Sequence, residues 1–281
     1  MVRGRRRPRR AHYRKVQIHV HETHPDAWDY LTGGTESETT LKRNRGALDR
    51  IALRPRILRD VSHIDTSSTF LGKPVRLPIM LAPVGGLQSF HEGAGKTVAE
   101  GAGRAGAPMM LSSVSKQPLT EVREQTSYPF IYQLYVRGDA DFIDAKVADA
   151  LEARCDAFCL TVDTAVYSRR ERDIARRFVK PWRTEATGTE YQAALSWNDV
   201  ARFKDKHSIP LILKGIGTAE DAALDAAQST TGSNTSSIDN LTPMEPSATP
   251  IRKLMHILPK TVLEVAVDKL RRFDDEFERP F

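Results

Sequence analysis

Residues 130–136 read FIYQLYV and residues 157–164 read AFCLTVDT, and these two segments decide the fold. Each is a nearly continuous apolar run, which is typical of a parallel strand covered on both faces. Residues 140–154 between them (ADFIDAKVADALEAR) carry apolar side chains at helical spacing. A helix that connects two buried strands places them side by side in one parallel sheet. The stretch therefore predicts a β-α-β unit.

Three further apolar runs of the same kind extend this pattern in both directions. They occupy residues 78–84 (PIMLAPV), 108–113 (PMMLSS) and 210–216 (PLILKGI). Repeated βα units form either a doubly wound sheet or a (β/α)8 barrel. Residues 26–227 are therefore expected to form one α/β unit with about five parallel strands.

The alternating pattern ends after about residue 227. Residues 228–250 are rich in Ser, Thr, Asn and Pro without periodicity, which predicts a low-complexity linker. Residues 251–281 are expected to contain an amphipathic helix, because residues 261–277 place apolar side chains on one side. The sequence offers no sixth, seventh or eighth strand. If the sheet belongs to a barrel, that barrel is therefore incomplete and is followed by an unrelated C-terminal tail.

The net charge of +6 is concentrated at one end of the chain. Residues 1–15 hold eight Lys or Arg and no acid, so the other 266 residues carry a net charge of −2. We interpret residues 1–25 as a basic tail that is expected to be disordered, and nothing beyond it favours nucleic-acid binding. No apolar run approaches the roughly 20 residues of a membrane span. Since two cysteines give no disulfide framework, we expect a cytoplasmic protein without membrane contact.

Polar side chains follow the C-terminal ends of four of the five predicted strands. They are Ser112, Gln133, Tyr135, Thr161, Asp163 and Lys214. This edge of the sheet is where α/β barrels keep their binding and catalytic groups. The pattern therefore predicts a functional site at this edge.

Three motifs suggest other chemistries and fail on their context. Residues 101–106 (GAGRAG) match a dinucleotide fingerprint, but they follow a helical run and precede a strand, so we expect them to end a helix. Residues 95–97 (GKT) resemble the end of a phosphate loop, but Phe90 stands where that motif requires glycine. The histidines of residues 19–24 (HVHETH) have no convincing further ligand, so no metal site is predicted.

Short motifs along residues 27–227 occur in the order found in one enzyme family. They are Asp29-Tyr30 with Gly33-Gly34, Thr40-Leu41 with Asn44, Leu53-Arg54-Pro55-Arg56, Leu81-Ala82-Pro83, Leu111-Ser112-Ser113, Gln133-Leu134-Tyr135, Leu160-Thr161-Val162-Asp163-Thr164, Arg169-Arg170-Glu171, Lys214-Gly215 and Thr218-Ala219-Glu220-Asp221. By these motifs the chain resembles the FMN-dependent α-hydroxy-acid dehydrogenases and oxidases, such as glycolate oxidase, lactate oxidase or monooxygenase, and mandelate dehydrogenase. The resemblance implies a (β/α)8 TIM barrel, FMN as cofactor, a small L-2-hydroxy acid as substrate, and a homo-oligomer, which is a tetramer in the family.

The resemblance also assigns roles to individual residues. Those that it places against the flavin ring are Ala82, Pro83, Val84, Ser112, Gln133 and Thr161. It places Lys214 beside the flavin N1 and O2 atoms, where a fixed cation stabilises the charge of the reduced ring.

The remaining roles concern the substrate. By the same resemblance, Tyr30 and Tyr135 would hydrogen-bond the hydroxy acid, and Arg170 would supply positive charge near its carboxylate. Asp163 would orient the catalytic histidine and stabilise its protonated form.

The family's catalytic histidine has no counterpart in this sequence. In the family it lies in a Ser-Asn-His-Gly-Gly segment that ends the sixth strand, and nothing like it follows Lys214. The Asp-Gly-Gly and Gly-Arg segments, which the resemblance places around the FMN phosphate, are not found either.

We therefore expect a chain that is truncated or divergent after about residue 227 and impaired in catalysis. One alternative is a non-catalytic remnant that still binds FMN weakly or serves as an interaction partner. Another is a different flavin barrel, such as the flavin-dependent isopentenyl diphosphate isomerase.

Overall fold

The computed structural model describes residues 25–179 and 187–229. The predicted basic tail, linker and C-terminal helix lie outside the described residues, apart from Pro25 of the tail and Gln228 and Ser229 of the linker. The histidines of residues 19–24 lie outside them as well. No helix in the described ranges is long and apolar enough to cross a membrane.

The chain first forms two helices and a small hairpin. Their bounds are α1 (Pro25–Thr32), α2 (Thr39–Asp49), β1 (Ser68–Phe70) and β2 (Lys73–Val75). The hairpin is antiparallel, and Leu71 and Gly72 form its two-residue turn with φ angles of 49° and 71°. Positive φ at both positions matches the turn that joins twisted antiparallel strands. Sequence analysis did not predict this hairpin, because its strands are only three residues long.

The main sheet consists of four parallel strands in sequence order. They are β3 (Met109–Ser112), β4 (Phe130–Leu134), β5 (Ala157–Thr161) and β6 (Leu211–Lys214). The register pairs Ser112 with Gln133 and Thr161 with Lys214. The four runs predicted for these positions are therefore confirmed as neighbouring parallel strands.

The fifth predicted strand, residues 78–84, is reduced to a single bridging residue. The Leu81 amide donates to the carbonyl of Pro108, and the Met110 amide donates to the carbonyl of Leu81, both at 3.0 Å. Prolines at positions 78 and 83 flank this bridge, and proline has no amide hydrogen to continue a ladder. The expected five strands are thus four strands and one parallel bridge along the outer edge of β3.

Helices connect the strands and cover the sheet. They are α3 (Ala94–Ala105), α4 (Leu119–Arg123), α5 (Ala140–Glu152), α6 (Glu171–Ala175), α7 (Thr189–Ala194), α8 (Trp197–Lys206) and α9 (Ala219–Ser229). Helix α5 begins where the Asp139 side chain accepts a hydrogen bond from the Phe142 amide. Helix α3 ends at Gly106, whose φ of 75° is the left-handed conformation of a helix stop. This confirms that residues 101–106 end a helix instead of opening a dinucleotide site.

Apolar side chains cover both faces of the sheet, as expected for parallel strands. On one face Leu134, Phe158 and Leu160 pack against Val147 of α5 and Phe203 of α8. On the other face the β1–β2 hairpin contributes the partly buried Phe70 and Leu71 to a cluster. That cluster consists of Met80, Met110, Ile131, Ala157, Cys159 and Ile212. We call this second face the inner face of the sheet.

The connection between α2 and β1 has no strand or helix over residues 51–67. Five of its apolar side chains are between 68% and 98% exposed. They are Leu53, Ile57, Leu58, Val61 and Ile64. Within the described ranges this segment is therefore left largely uncovered, in keeping with an incomplete barrel.

Asp144 on α5 forms charged contacts with three basic residues in or directly after α8, in the outer layer of helices. Its carboxylate accepts hydrogen bonds from Arg202 and from Lys206 Nζ (2.6 Å), and it lies 2.7 Å from His207 Nε2. Burial alone would raise the pKa of Asp144. The bonds from its three basic partners outweigh burial and hold this pKa well below its ordinary value.

We expect Asp144→Asn to lower the free energy of unfolding by about 1–2 kcal/mol at neutral pH, since charge-assisted bonds are lost from a cluster that is only partly exposed. The contribution is present above the unfolded-state pKa of about 4 and is lost as the pH falls further, because the folded-state pKa is depressed. Urea unfolding at several pH values measures it. Asp149→Asn on the same helix removes only an exposed pair with Lys146 and should cost less than about 0.5 kcal/mol. Equal losses in both variants would contradict the assignment.

Candidate active site

Four of the predicted site residues lie in one row on the inner face. Side chains alternate between the faces of a strand, so Ser112 shares a face with Met110, and Lys214 shares one with Ile212. By the same two-residue period, Gln133 shares a face with Ile131, and Thr161 shares one with Cys159. All four occupy the last or next-to-last position of a strand. The sheet therefore gathers them at its C-terminal edge, above the apolar inner cluster.

Gln133 and Thr161 form the buried centre of this row. The Gln133 amide nitrogen donates to Thr161 Oγ1 at 2.8 Å, and both side chains are fully buried. Gln133 Oε1 has no hydrogen-bond partner among the described residues. A buried amide oxygen without a partner is costly unless a donor from elsewhere reaches it. This atom therefore marks a place where a ligand with an N–H or O–H group fits.

Lys214 and Asp163 lie at the same edge. Lys214 Nζ is 3.9 Å from Asp163 Oδ2, and Thr164 Oγ1 donates to Asp163 Oδ1 at 3.1 Å. The Asp163 side chain is 46% exposed. Within the described part of the chain, no histidine pairs with it, so its predicted role in orienting a histidine stays a prediction.

The backbone after Lys214 is shaped to approach Asp163. Gly215 has a φ of 116°, and a Cβ atom there would lie 2.5 Å from the Asp163 Cβ. Only glycine adopts this conformation at such a short separation without strain. Gly215 therefore allows Lys214 and Asp163 to share one corner of the site.

Ala82, Pro83 and Val84 directly follow the bridge at Leu81. Residues 82–84 adopt neither helix nor strand, and Val84 is exposed. The segment forms the border of the row on the side of β3, because Leu81 pairs with Met109. Ala82 and Val84 are exposed and Pro83 is partly buried, so the segment is open to contact with a ligand.

The three predicted substrate residues line one cleft of about 830 Å³ together with Ser112. The Arg170 guanidinium lies over the Tyr30 ring at 4.4 Å from its centre. Its Nη1 donates to the carbonyls of Tyr30 (2.6 Å) and Gly33 (3.3 Å), whereas its buried Nε has no partner among the described residues. Arg170 thus both anchors α1 and keeps one donor for a ligand.

Tyr30 and Tyr135, two of the tyrosines that line the cleft, are proton donors at neutral pH. Burial raises the pKa of Tyr135, and the nearby Asp163 and Tyr30 raise it further. Burial also raises the pKa of Tyr30, although Arg170 partly offsets this effect. Each phenol therefore keeps its hydrogen and can donate to a substrate oxygen.

Ion pairs hold α1, and with it Tyr30, against the distant segment around α6. Arg172 Nε lies 2.7 Å from Glu38 Oε1, and Arg176 pairs with Asp29. The Glu36 amide donates to the Arg169 carbonyl at 2.8 Å. These contacts join parts of the chain more than 130 residues apart, which explains how Tyr30 reaches the cleft.

Two residues at the site were missed by sequence analysis. Gln192 on α7 donates through Nε2 to the Thr161 carbonyl and accepts at Oε1 from the Val136 amide, both at 2.7 Å. Arg137 lines the cleft beside Tyr135, with its guanidinium hydrogen-bonded to the Tyr167 hydroxyl. Arg137 could have been found because it directly follows the predicted strand at residues 130–136, whereas nothing in its local sequence marks Gln192.

No histidine of the described ranges lines the cleft. His207, for example, is engaged with Asp144 in the outer layer. Burial raises the pKa of Cys155 and of Cys159 to about 12, so both thiols stay neutral. The described residues contain no group of three His, Cys, Asp or Glu side chains suited to a metal ion.

Comparison with known sequences identifies the family. The sequence profile of the FMN-dependent dehydrogenases matches residues 20–234. The chain belongs to this family. Its match ends within a few residues of position 227, where the strand pattern ends.

Several curated relatives support the assignment. Peroxisomal (S)-2-hydroxy-acid oxidase GLO4 of Oryza sativa subsp. indica is 38% identical over 216 residues, which cover 70% of this chain and 59% of that protein. Glycolate oxidase of Spinacia oleracea is 36% identical, with 70% and 59% covered. L-lactate oxidase of Nostoc sp. is 35% identical, with 70% and 61% covered. The chain thus spans about 59% of the length of the first of these relatives.

Solved structures agree with the sequence comparison. Mandelate oxidase with 3,3-difluoro-2-hydroxy-3-phenylpropionic acid superposes with a TM-score of 0.68 at 30% identity, covering 76% of this chain and 64% of that one. The predicted incomplete barrel of the (β/α)8 TIM-barrel family is confirmed. The family is one of oxidoreductases, and its cofactor is FMN.

We expect Gly215→Ala to lower the free energy of unfolding by about 1–3 kcal/mol, since alanine is strained at this φ and collides with Asp163. Gly101→Ala is the matched control. Gly101 lies within α3, and a Cβ there meets nothing within 4 Å, so that variant should gain up to about 1 kcal/mol. Urea unfolding of both variants measures the difference. A neutral Gly215→Ala would show that the corner of Lys214 and Asp163 is not tightly packed.

Proposed function

We propose that this chain binds FMN at the C-terminal edge of its sheet and serves the oxidation of a small L-2-hydroxy acid to the 2-oxo acid. The observation that carries the proposal is the partnerless, fully buried Gln133 Oε1 in the same row as Lys214. A buried acceptor and a cation on one wall fit a planar ligand that has an N–H group and becomes negatively charged on reduction.

The flavin ring matches these features in chemical terms. Its pyrimidine end carries an N3–H donor between two carbonyl groups, and Gln133 Oε1 can accept a hydrogen bond from that donor. Ser112, Thr161 and the segment of Ala82, Pro83 and Val84 would border the ring. Lys214 would lie toward N1 and O2. When bound, FMN accepts the hydrogen and the two electrons that leave the α-carbon of the acid.

The cleft residues suit the other reactant, a small carboxylate with an adjacent hydroxyl. Arg170 would attract the carboxylate and donate to it from Nε, since that group has no protein partner in the described part of the chain. Tyr30 and Tyr135 keep their phenol hydrogens and would donate to the carboxylate and hydroxyl oxygens. The names of the relatives, which include a glycolate oxidase and a lactate oxidase, support this substrate class.

The proton on the substrate hydroxyl must be taken by a base. In that role a neutral histidine becomes positively charged as it accepts the proton, and Asp163 would stabilise it in that state. No described histidine lines the cleft, so we propose that catalysis by this chain is impaired. The same observation favours a second candidate, a protein that binds FMN without oxidising hydroxy acids. The tetramer and the cytoplasmic location expected from the sequence stay predictions.

The decisive experiment is an absorbance titration of FMN with the purified chain, followed by anaerobic addition of lactate, glycolate or mandelate. A perturbed flavin band that bleaches with one acid supports oxidation. A perturbed band that does not bleach supports the second candidate. A spectrum that stays that of free FMN contradicts both. Gln133→Leu serves as the matched variant, and loss of its acceptor should weaken FMN binding about five- to tenfold.

We expect Lys214→Met to lower the midpoint potential of bound FMN by about 30–60 mV, which corresponds to a ten- to hundredfold weaker preference for the reduced form. The reason is the loss of the cation that balances the charge of the reduced ring. Spectroelectrochemical titration measures the potential. Lys42→Met on α2 removes a lysine bonded only to the Ser37 carbonyl and should leave the potential unchanged. An unchanged potential in Lys214→Met would remove Lys214 from the flavin site.

A further inference from the structure

Gln192 is one of the few polar side chains that are buried in the described part of the chain. Gln133, Thr161 and Gln192 are 0%, 0% and 3% exposed and form one connected group. Gln192 Nε2 donates to the Thr161 carbonyl, and Thr161 Oγ1 accepts from Gln133 Nε2. Thr161 therefore accepts a hydrogen bond from one side-chain amide at its backbone carbonyl and from another at its hydroxyl oxygen.

The orientation of the Gln192 amide is determined by its partners. A backbone carbonyl can only accept and a backbone amide can only donate, so Nε2 must face Thr161 and Oε1 must face Val136. The Thr161 carbonyl belongs to the last residue of β5, and the Val136 amide lies two residues beyond the end of β4. The ladder between the two strands ends at the pair of Leu134 and Leu160. Gln192 thus ties these two strand ends together where the ladder between them stops.

Helix α7 is held in place independently of this amide. Gly188, directly before the helix, has a φ of 71°, and a Cβ there would lie 2.1 Å from the Arg137 carbonyl oxygen. The chain can make this close approach only with glycine. The backbone around α7 is therefore packed against the loop after β4, and Gln192 extends from a supported position into the row of site residues.

We propose that Gln192 is a positioning residue of the flavin site. It holds Thr161, and through Thr161 it fixes the Gln133 amide so that Oε1 faces the ligand. This proposal rests on the proposed function, because it assigns the Gln133 acceptor to the flavin N3–H group. An apolar side chain of the same size would fill the space but would leave the Val136 amide and the Thr161 carbonyl without this partner.

The test compares the binding of lumiflavin and 3-methyllumiflavin to the full chain by quenching of flavin fluorescence. The two compounds differ at N3, and neither depends on a phosphate site. We expect the unchanged chain to prefer lumiflavin about fivefold or more, since one hydrogen bond in a buried site is at stake. Gln192→Met should bring the two affinities to within about twofold of each other, as should Gln133→Leu. The double variant should show no further change.

Two controls separate positioning from a general loss of stability. Val200→Ala removes buried packing from α8, the next helix, and should keep the preference for lumiflavin. Gln192→Glu retains volume and the acceptor for Val136 but, when ionised, cannot donate to Thr161, so its preference should be reduced in the same direction. This second variant also serves if Gln192→Met does not fold.

The outcomes are distinct. A preference in the unchanged chain that persists in both Gln192 variants overturns the positioning role and leaves the flavin site in place. An unchanged chain without any preference overturns the role of Gln133 toward N3, and the positioning proposal with it. Loss of preference in Val200→Ala as well would reduce Gln192 to a packing residue and overturn the proposal.

Discussion

The register of four parallel strands is the constraint on which the site depends. Parallel pairing places Ser112 beside Gln133 and Thr161 beside Lys214, and the two-residue period of a strand turns all four toward the inner face. A shift of one residue in any strand would turn its polar residue into the helix layer. The apolar clusters on both faces oppose such a shift, because it would also move buried side chains such as Ile131 and Phe158 out of the cluster in which each is packed.

A second constraint comes from contacts between segments that lie far apart in the sequence. The substrate side of the cleft combines Tyr30 from α1 with Tyr135 and Arg170 from later segments. Arg170 serves both to anchor α1 and to line the cleft, since one of its nitrogens bonds the end of α1 and another is left for a ligand. If Arg170 binds the substrate carboxylate as proposed, binding and folding share one guanidinium. Changes at this residue affect the position of Tyr30 as well as the charge of the cleft.

The described site contains the groups proposed to bind and orient the reactants, and no described histidine that could take the substrate proton lines it. Without a histidine partner among the described residues, the Asp163 carboxylate faces Lys214 and solvent. The family assignment rests on a match that covers residues 20–234 and spans only part of the relatives' length. The residues proposed to hold the flavin and the substrate carboxylate thus lie in this stretch, whereas the proton acceptor is not among the residues that the structure describes.

Local sequence was sufficient for the β-α-β units, the end of α3 at Gly106 and the polar row at the strand ends, because apolar periodicity and strand alternation act over a few residues. It overestimated the run at residues 78–84, where flanking prolines limit the ladder to Leu81. Tertiary structure alone decided the placement of Tyr30 over the cleft and the role of Gln192. Both depend on contacts between segments far apart in the chain, and such contacts leave no periodic trace in the residues that make them. An ordinary glutamine in a short helix becomes a link between two strand ends only when the sheet brings Val136 and Thr161 to the same place.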